Sequence, residues 1–161
     1  MTKKLMHDWN LAHANIGRLR APLDDPSMAG FADQLDRINQ LGWRQPGFVQ
    51  HVIEPGGSPR FYVFDDPHVI MNITVWESVE ALHAFTYLSE HAAFYKRRRE
   101  WFEPMDGPSL ALWWIPPGHG PSPEEAKEQL ALLAELGPTP LAFTFAARFS
   151  VKEMLAALAP A

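Results

Sequence analysis

The chain has 161 residues, 47% of them hydrophobic and 20% charged, with a formal net charge of −5. That length holds one core rather than two, and that apolar share excludes global disorder. The acidic balance leaves no cationic excess to displace counterions from phosphate, which argues against nucleic-acid binding; the lack of cysteine removes disulfides, thiolate nucleophiles and iron–sulfur clusters.

The first ten residues carry Lys3 and Lys4 with no long apolar run behind them, so neither a secretory signal nor a membrane span is expected, and a cytoplasmic protein is. From Asn10 to Gly17 the residues alternate, Leu11, His13 and Asn15 against Ala12, Ala14 and Ile16, which predicts a strand. A proline-punctuated loop follows. Asp25 then stands as an N-cap before Pro26, and Met28, Phe31, Leu35, Ile38 and Leu41 form one helical stripe that Gly42 and Pro46 bring to a close.

Residues 48–54 predict a second strand and Pro55 to Pro59 a turn; a short run over 60–64 is a further pairing candidate. Val69 to Trp76 predicts the third main strand. Ser78 caps a helix carrying Leu82 and Phe85, with a second helical stretch after Ser89 carrying Phe94, Arg98 and Trp101. Ser109 to Ile115 predicts a fourth strand with Trp113 and Trp114 on opposite faces.

This order, strand–helix–strand–strand–helix–strand, predicts an α+β fold: a ferredoxin-like split βαβ with a four-stranded antiparallel sheet and both helices on one face. Residues 1–116 are expected to make that domain. Residues 117–161 are expected to form a C-terminal arm, with a helix capped by Ser122 and ending at Gly137, extended chain over 141–150 and a short last helix, packed on the same subunit or on a partner.

The expected sheet leaves a face uncovered. With Ala12, Ala14, Ile16, Val69, Met71, Ile73 and Val75 beneath the helices, the open face carries Leu11, His13, Asn15, Ile70, Asn72, Thr74 and Trp76. Two such faces packed together give a homodimer enclosing polar groups that need partners or a small-molecule ligand.

Several segments carry a resemblance. They are residues 11–18, 21–26 and 75–82, then Arg98-Arg99-Glu100-Trp101-Phe102, Leu112-Trp113-Trp114-Ile115-Pro116 and residues 137–145. Across roughly residues 9–146 the chain resembles the bacterial domain-of-unknown-function family 3291, and more broadly the dimeric α/β-barrel superfamily that includes antibiotic-biosynthesis monooxygenases. The resemblance implies a dimeric barrel with a pocket between sheet and helices, and no established reaction; the expectation is a small-molecule enzyme resembling those monooxygenases and working without a cofactor, with isomerisation or dehydration equally compatible. The alternative is a non-catalytic ligand-binding or haem-binding dimer. Haem-degrading members of the superfamily use a first-strand Asn, which Asn15 matches, plus a helical Trp and His, where this chain has Phe85 and Tyr95.

The chemistry-bearing residues are few. His13, Asn15 and His91 are the candidate catalytic groups, His as acid or base near neutral pH. Asn72, Thr74, Trp76, Tyr95 and Arg98 are the candidate substrate-binding groups; His91 and Tyr95 sit four apart on a helix, and Arg98 belongs to the run Lys96 to Arg99, whose default place is a solvated face and which would serve a substrate only with an Arg turned inward toward a carboxylate. No metal motif is present, and the seven histidines are dispersed along the chain.

Overall fold

The computed structural model describes residues 8–160. The stretch holding Lys3 and Lys4, on which the expectation of no leader was read, lies outside the described residues apart from its last three. No helix among the described residues is long and apolar enough to cross a membrane.

Strand β1 spans Asn10–Leu19, β2 Phe48–His51, β3 Val69–Trp76, β4 Phe102–Glu103 and β5 Leu110–Ile115. Every pairing is antiparallel. β2 lies beside β3, β3 beside β1, and β4 and β5 follow one another along the other edge of β1. The run over 60–64 contributes a single bridge, Phe61 to Met71. Helix α1, Ala29–Trp43, is entered through a 3₁₀ turn at Pro26–Met28, where the Asp25 carboxylate accepts from the Ser27 amide. Ser78 caps α2, Val79–His83, which runs on through a π turn at Ala84–Leu88; α3, His91–Lys96, and α4, Arg98–Trp101, complete the second helical layer. This is the expected split βαβ fold.

The sheet is turned over relative to expectation. Leu11, Trp76 and Leu112 pack with Val79, Leu82 and Phe85 of the second helical layer, and Leu19 and Ile70 pack with Met28 and Phe31 at the first. His13, Asn72 and Thr74 therefore lie beneath the helices. The face expected to be open for a partner is the one the helices cover, with Leu11 and Trp76 at most 1% exposed.

The opposite face, Ala12, Ala14, Met71, Ile73, Val75, Ala111, Trp113 and Ile115, is covered too. It packs against Ala126, Leu130 and Leu133 of α5, Pro123–Leu136, in the C-terminal part of the same chain. Period-two alternation gives two sets of side chains without saying which one meets which layer. With apolar cover on both sides, both sets are apolar, as β3 shows by burying seven of its eight residues.

Beyond α5 the chain passes the outer edge of β5. Phe143 and Leu112 exchange both backbone hydrogen bonds at 2.8 and 2.9 Å, which satisfies an edge that would otherwise present free donors and acceptors. The extended segment expected over 141–150 reduces to this bridge and turns. The last helix, α6, Val151–Leu158, starts in a full capping box between Ser150 and Glu153.

Candidate active site between the sheet and the helices

Cross-strand register builds the site in rows. Leu11 pairs with Trp76, His13 with Thr74 and Asn15 with Asn72, and all six point to the helical side. Burial grades along these rows: Trp76, Thr74 and His13 are buried, Asn72 is half-buried and Asn15 is exposed. The polar groups thus lead from solvent at the Asn15 end toward a dry interior.

Hydrogen-bond polarity fixes the state of each ring. The Trp76 indole can only donate, and its Nε1–H gives to Thr74 Oγ1 at 2.8 Å. The buried Thr74 hydroxyl needs an acceptor, and His13 Nδ1 lies 2.9 Å away. With that hydroxyl donating to the ring, His13 accepts at Nδ1 and carries its proton at Nε2. His91 is the reverse: its Nδ1 donates to the Thr86 carbonyl at 3.1 Å, which leaves Nε2 as a lone pair with no donor to it among the described residues.

Burial is the largest influence on all three local imidazoles. It pushes His13 down to about 3, with the neighbouring His91 and His51 adding to the effect because charge on either disfavours charge on His13. His91 lies below the ordinary histidine range through burial, partly offset by its bond to the Thr86 carbonyl. His51 is lowered by burial too, with its bond to Asn72 opposing. The site is a group of neutral rings.

His51 is the functional candidate that sequence reasoning missed, and it brings Trp43 with it. The Trp43 indole donates to His51 Nδ1 at 3.0 Å, and His51 Nε2 meets Asn72 Oδ1 at 2.7 Å. β2 carries a bulge after Phe48: two residues lie between Phe48 and His51, while only Val75 lies between their partners Trp76 and Thr74. The extra residue reverses the parity of simple alternation and turns His51 toward the helices. Only the polar–aromatic character of β2 hinted at it.

Phe85 closes the site from above. Its ring stacks on Trp76 at 5.4 Å between centroids and lies 4.7 Å from His91, and it presses on Gly42 of α1, where an added Cβ would come within 3.2 Å. Phe48 packs edge-on against Trp76 at 5.4 Å.

Two expected site residues stand apart from this group. Tyr95 reaches it only by stacking on His91, at 6.2 Å. Arg98 is exposed and lies over the Tyr95 ring at 4.2 Å, so the inward, carboxylate-facing position that substrate binding would need is not the one it takes. Its guanidinium also donates to the Tyr95 carbonyl, at the start of α4, and a buried place would strand its charge. Two surface grooves lie elsewhere: one of about 240 Å³ beside Arg37, Arg44 and Glu90, and one of about 400 Å³ beside Trp114, Phe149 and the start of α6. Among the described residues no three His, Asp or Glu side chains are placed to hold a metal ion.

A family model described as a domain of unknown function, DUF3291, matches residues 10–158. The chain belongs to this family. No curated protein matches it in sequence. Among solved structures it is similar to a conserved protein from Methanosarcina mazei Go1 (7% identity, TM-score 0.49, covering 71% of this chain and 98% of that one). It is similar also to SnoaB, a cofactor-independent oxygenase from Streptomyces nogalater (17% identity, TM-score 0.47, 71% and 97%). A third is Rv0793 from Mycobacterium tuberculosis (16% identity, TM-score 0.46, 70% and 99%).

Proposed function

We propose that this DUF3291 protein is a small-molecule enzyme of the monooxygenase-like kind its sequence resembles, acting without a cofactor on a planar, weakly acidic substrate held between the sheet and the second helical layer. The observation that carries this reading is the pairing of two neutral imidazoles of opposite polarity, His91 with an Nε2 lone pair and His13 with an Nε2 proton. A histidine held below its ordinary range is in its basic form at neutral pH, so His91 takes a proton from a carbon acid or a phenol. The negative charge left on the substrate oxygen is met by donors, His13 Nε2–H and the Asn72 and Asn15 amides. Trp76, Phe85 and Phe48 supply flat apolar walls. Dioxygen as second substrate would make the reaction an oxygenation; without it the same proton removal serves isomerisation or dehydration. All of these groups come from one chain.

The test is turnover of hydroxynaphthalenes, followed by oxygen uptake in air and by product analysis under anaerobic conditions. Replacing His91 by Ala should lower the rate by about 10²–10⁴-fold, the usual size of a general-base contribution. Turnover unchanged in His91→Ala would defeat the assignment.

The second reading is a non-catalytic ligand-binding or haem-binding protein. The close packing of Phe48, Trp76, Phe85 and His91, with centroids 4.7–5.4 Å apart, favours its non-catalytic part, because stacked rings fill the volume that a substrate needs, and a haem would have to displace Phe85 to reach His91. His91 Nε2 is the atom that would hold a haem iron, with the Thr86 carbonyl fixing the ring from behind. An absorbance spectrum of the purified protein separates the cases: a haem band that disappears in His91→Ala supports this reading.

A further inference from the structure

His51 and Trp43 carry no role in the chemistry above, yet they form a continuous polar chain that ends on Asn72. From this chain we infer that His51 is a positioning residue that fixes which way round the Asn72 amide faces, so that the open end of the site presents N–H groups and receives a hydrogen-bond acceptor.

Every polarity along the chain follows from its first member. An indole N–H donates and cannot accept. Trp43 Nε1–H therefore gives its hydrogen to His51 Nδ1, and a neutral imidazole that accepts at Nδ1 must carry its proton at Nε2. The Asn72 atom 2.7 Å from that Nε2 must then be the acceptor oxygen. This leaves the Asn72 NH₂ turned to the other side, where it approaches Asn15 Oδ1 at 3.4 Å. An amide rotated by half a turn would set N–H against N–H at His51, so the alternative orientation is excluded by an exposed tryptophan two contacts away.

The consequence reaches the ligand. One hydrogen of the Asn72 NH₂ and both of the Asn15 NH₂ have no acceptor among the described residues, and they stand at the solvent end of the same face as His13. Donors gathered at the mouth fit an oxyanion or a carbonyl oxygen and disfavour a ligand that offers only N–H or O–H groups there. His51 itself touches no ligand in this arrangement. It acts through Asn72, and the β2 bulge is what brings it within reach.

The inference rests on the site proposed above but is tested separately from its chemistry. The first readout needs no ligand: long-range ¹H–¹⁵N spectra of the histidine rings should show His51 neutral at pH 7, protonated at Nε2, and shifting toward the other tautomer in Trp43→Phe. The second uses 4-nitrophenolate as the probe, titrated while the side-chain NH₂ signals of Asn72 and Asn15 are followed. Loss of one charge-assisted hydrogen bond corresponds to about a tenfold weaker affinity, the effect expected in His51→Leu. His51→Gln, whose amide nitrogen reproduces the Nε2 donor, should restore binding to within about twofold of the natural chain.

An Nδ1-protonated or charged His51 overturns the inference. So does failure of 4-nitrophenolate to shift either amide, or an equal loss in His51→Leu and His51→Gln, which would mark His51 as packing alone. In His91→Ala the His51 tautomer and probe binding should both persist while hydroxynaphthalene turnover is lost. Failure of turnover with the tautomer intact therefore strikes only the enzymatic reading.

Discussion

Acid should destabilise this protein through His13 in a way that a single substitution can isolate. In the unfolded chain the ring titrates near 6.5, whereas in the fold it is held down to about 3. The folded state therefore binds fewer protons than the unfolded state throughout that window, and stability falls as pH drops through it. Above 6.5 both states are neutral and the contribution is fully present. For one group with these two pKa values, the loss between pH 7 and pH 5 is about 2 kcal/mol. His51 and His91, both lowered, push the same way.

The assay is urea unfolding of the natural chain and of His13→Gln at pH 7 and pH 5. The variant starts lower because it disturbs the bond to Thr74, but the quantity of interest is the difference in pH dependence. The variant should lose about 2 kcal/mol less than the natural chain between the two pH values. Equal losses would show that the His13 ring accepts its proton in the folded state, and that the interior of the site is wet.

Other outcomes follow from local features. Gly47 has φ +85° and an added Cβ would lie 2.5 Å from Ala81 Cβ, so Gly47→Ala should lower stability by about 1–3 kcal/mol in thermal unfolding. Ser150→Ala removes one half of the α6 capping box and should cost about 1 kcal/mol by chemical denaturation, with the core aromatic signals undisturbed. Trp76→Phe keeps the apolar wall but releases Thr74 from its indole donor, and should change the His13 ring signals in NMR spectra while leaving those of His51 in place.

The order and type of elements were legible because each start and stop has a local chemical cause: Asp25 before Pro26, Ser78, Ser122 and Ser150 each accepting from a first-turn amide, Gly137 at positive φ. The stripe that opens at Met28 was legible from its period, and Met28, Phe31 and Ile38 on it are buried. The cross-strand partnership of His13, Asn15, Asn72 and Thr74 was legible as a shared face, since alternation groups residues reliably. What alternation lacks is a sign. The sheet was read the wrong way up because a second apolar layer, α5, makes the far face look like the near one. His51 was hidden by a bulge, which is a property of two strands together and leaves no trace in either sequence alone. Arg98 takes the solvated place that a run of four cations has by default, over the Tyr95 ring, and not the inward place that a substrate carboxylate would need.

The position of α5 bears on self-association. The sheet face beneath it is the one that a face-to-face dimer would use once the helices have taken the other, and α5 covers the same apolar atoms that a second copy would bury. The two arrangements compete, and within one chain α5 has the advantage of a short connection to β5. We propose that α5 takes the place of a sheet partner, so a homodimer of this chain must use another surface. Leu130 and Leu133 are each 5% exposed, so replacing either by Ala should cost about 2–5 kcal/mol of the contact that holds α5 down. Replacing both by Asp should release the helix and leave Ile73, Val75 and Trp113 uncovered. Light scattering across a range of concentrations should then show association in Leu130→Asp/Leu133→Asp beyond any that the natural chain shows, together with retained strand signal in circular dichroism. Association of the natural chain that disappears in the double variant would instead place α5 in the dimer contact itself, and the competition argued from the fold would be wrong.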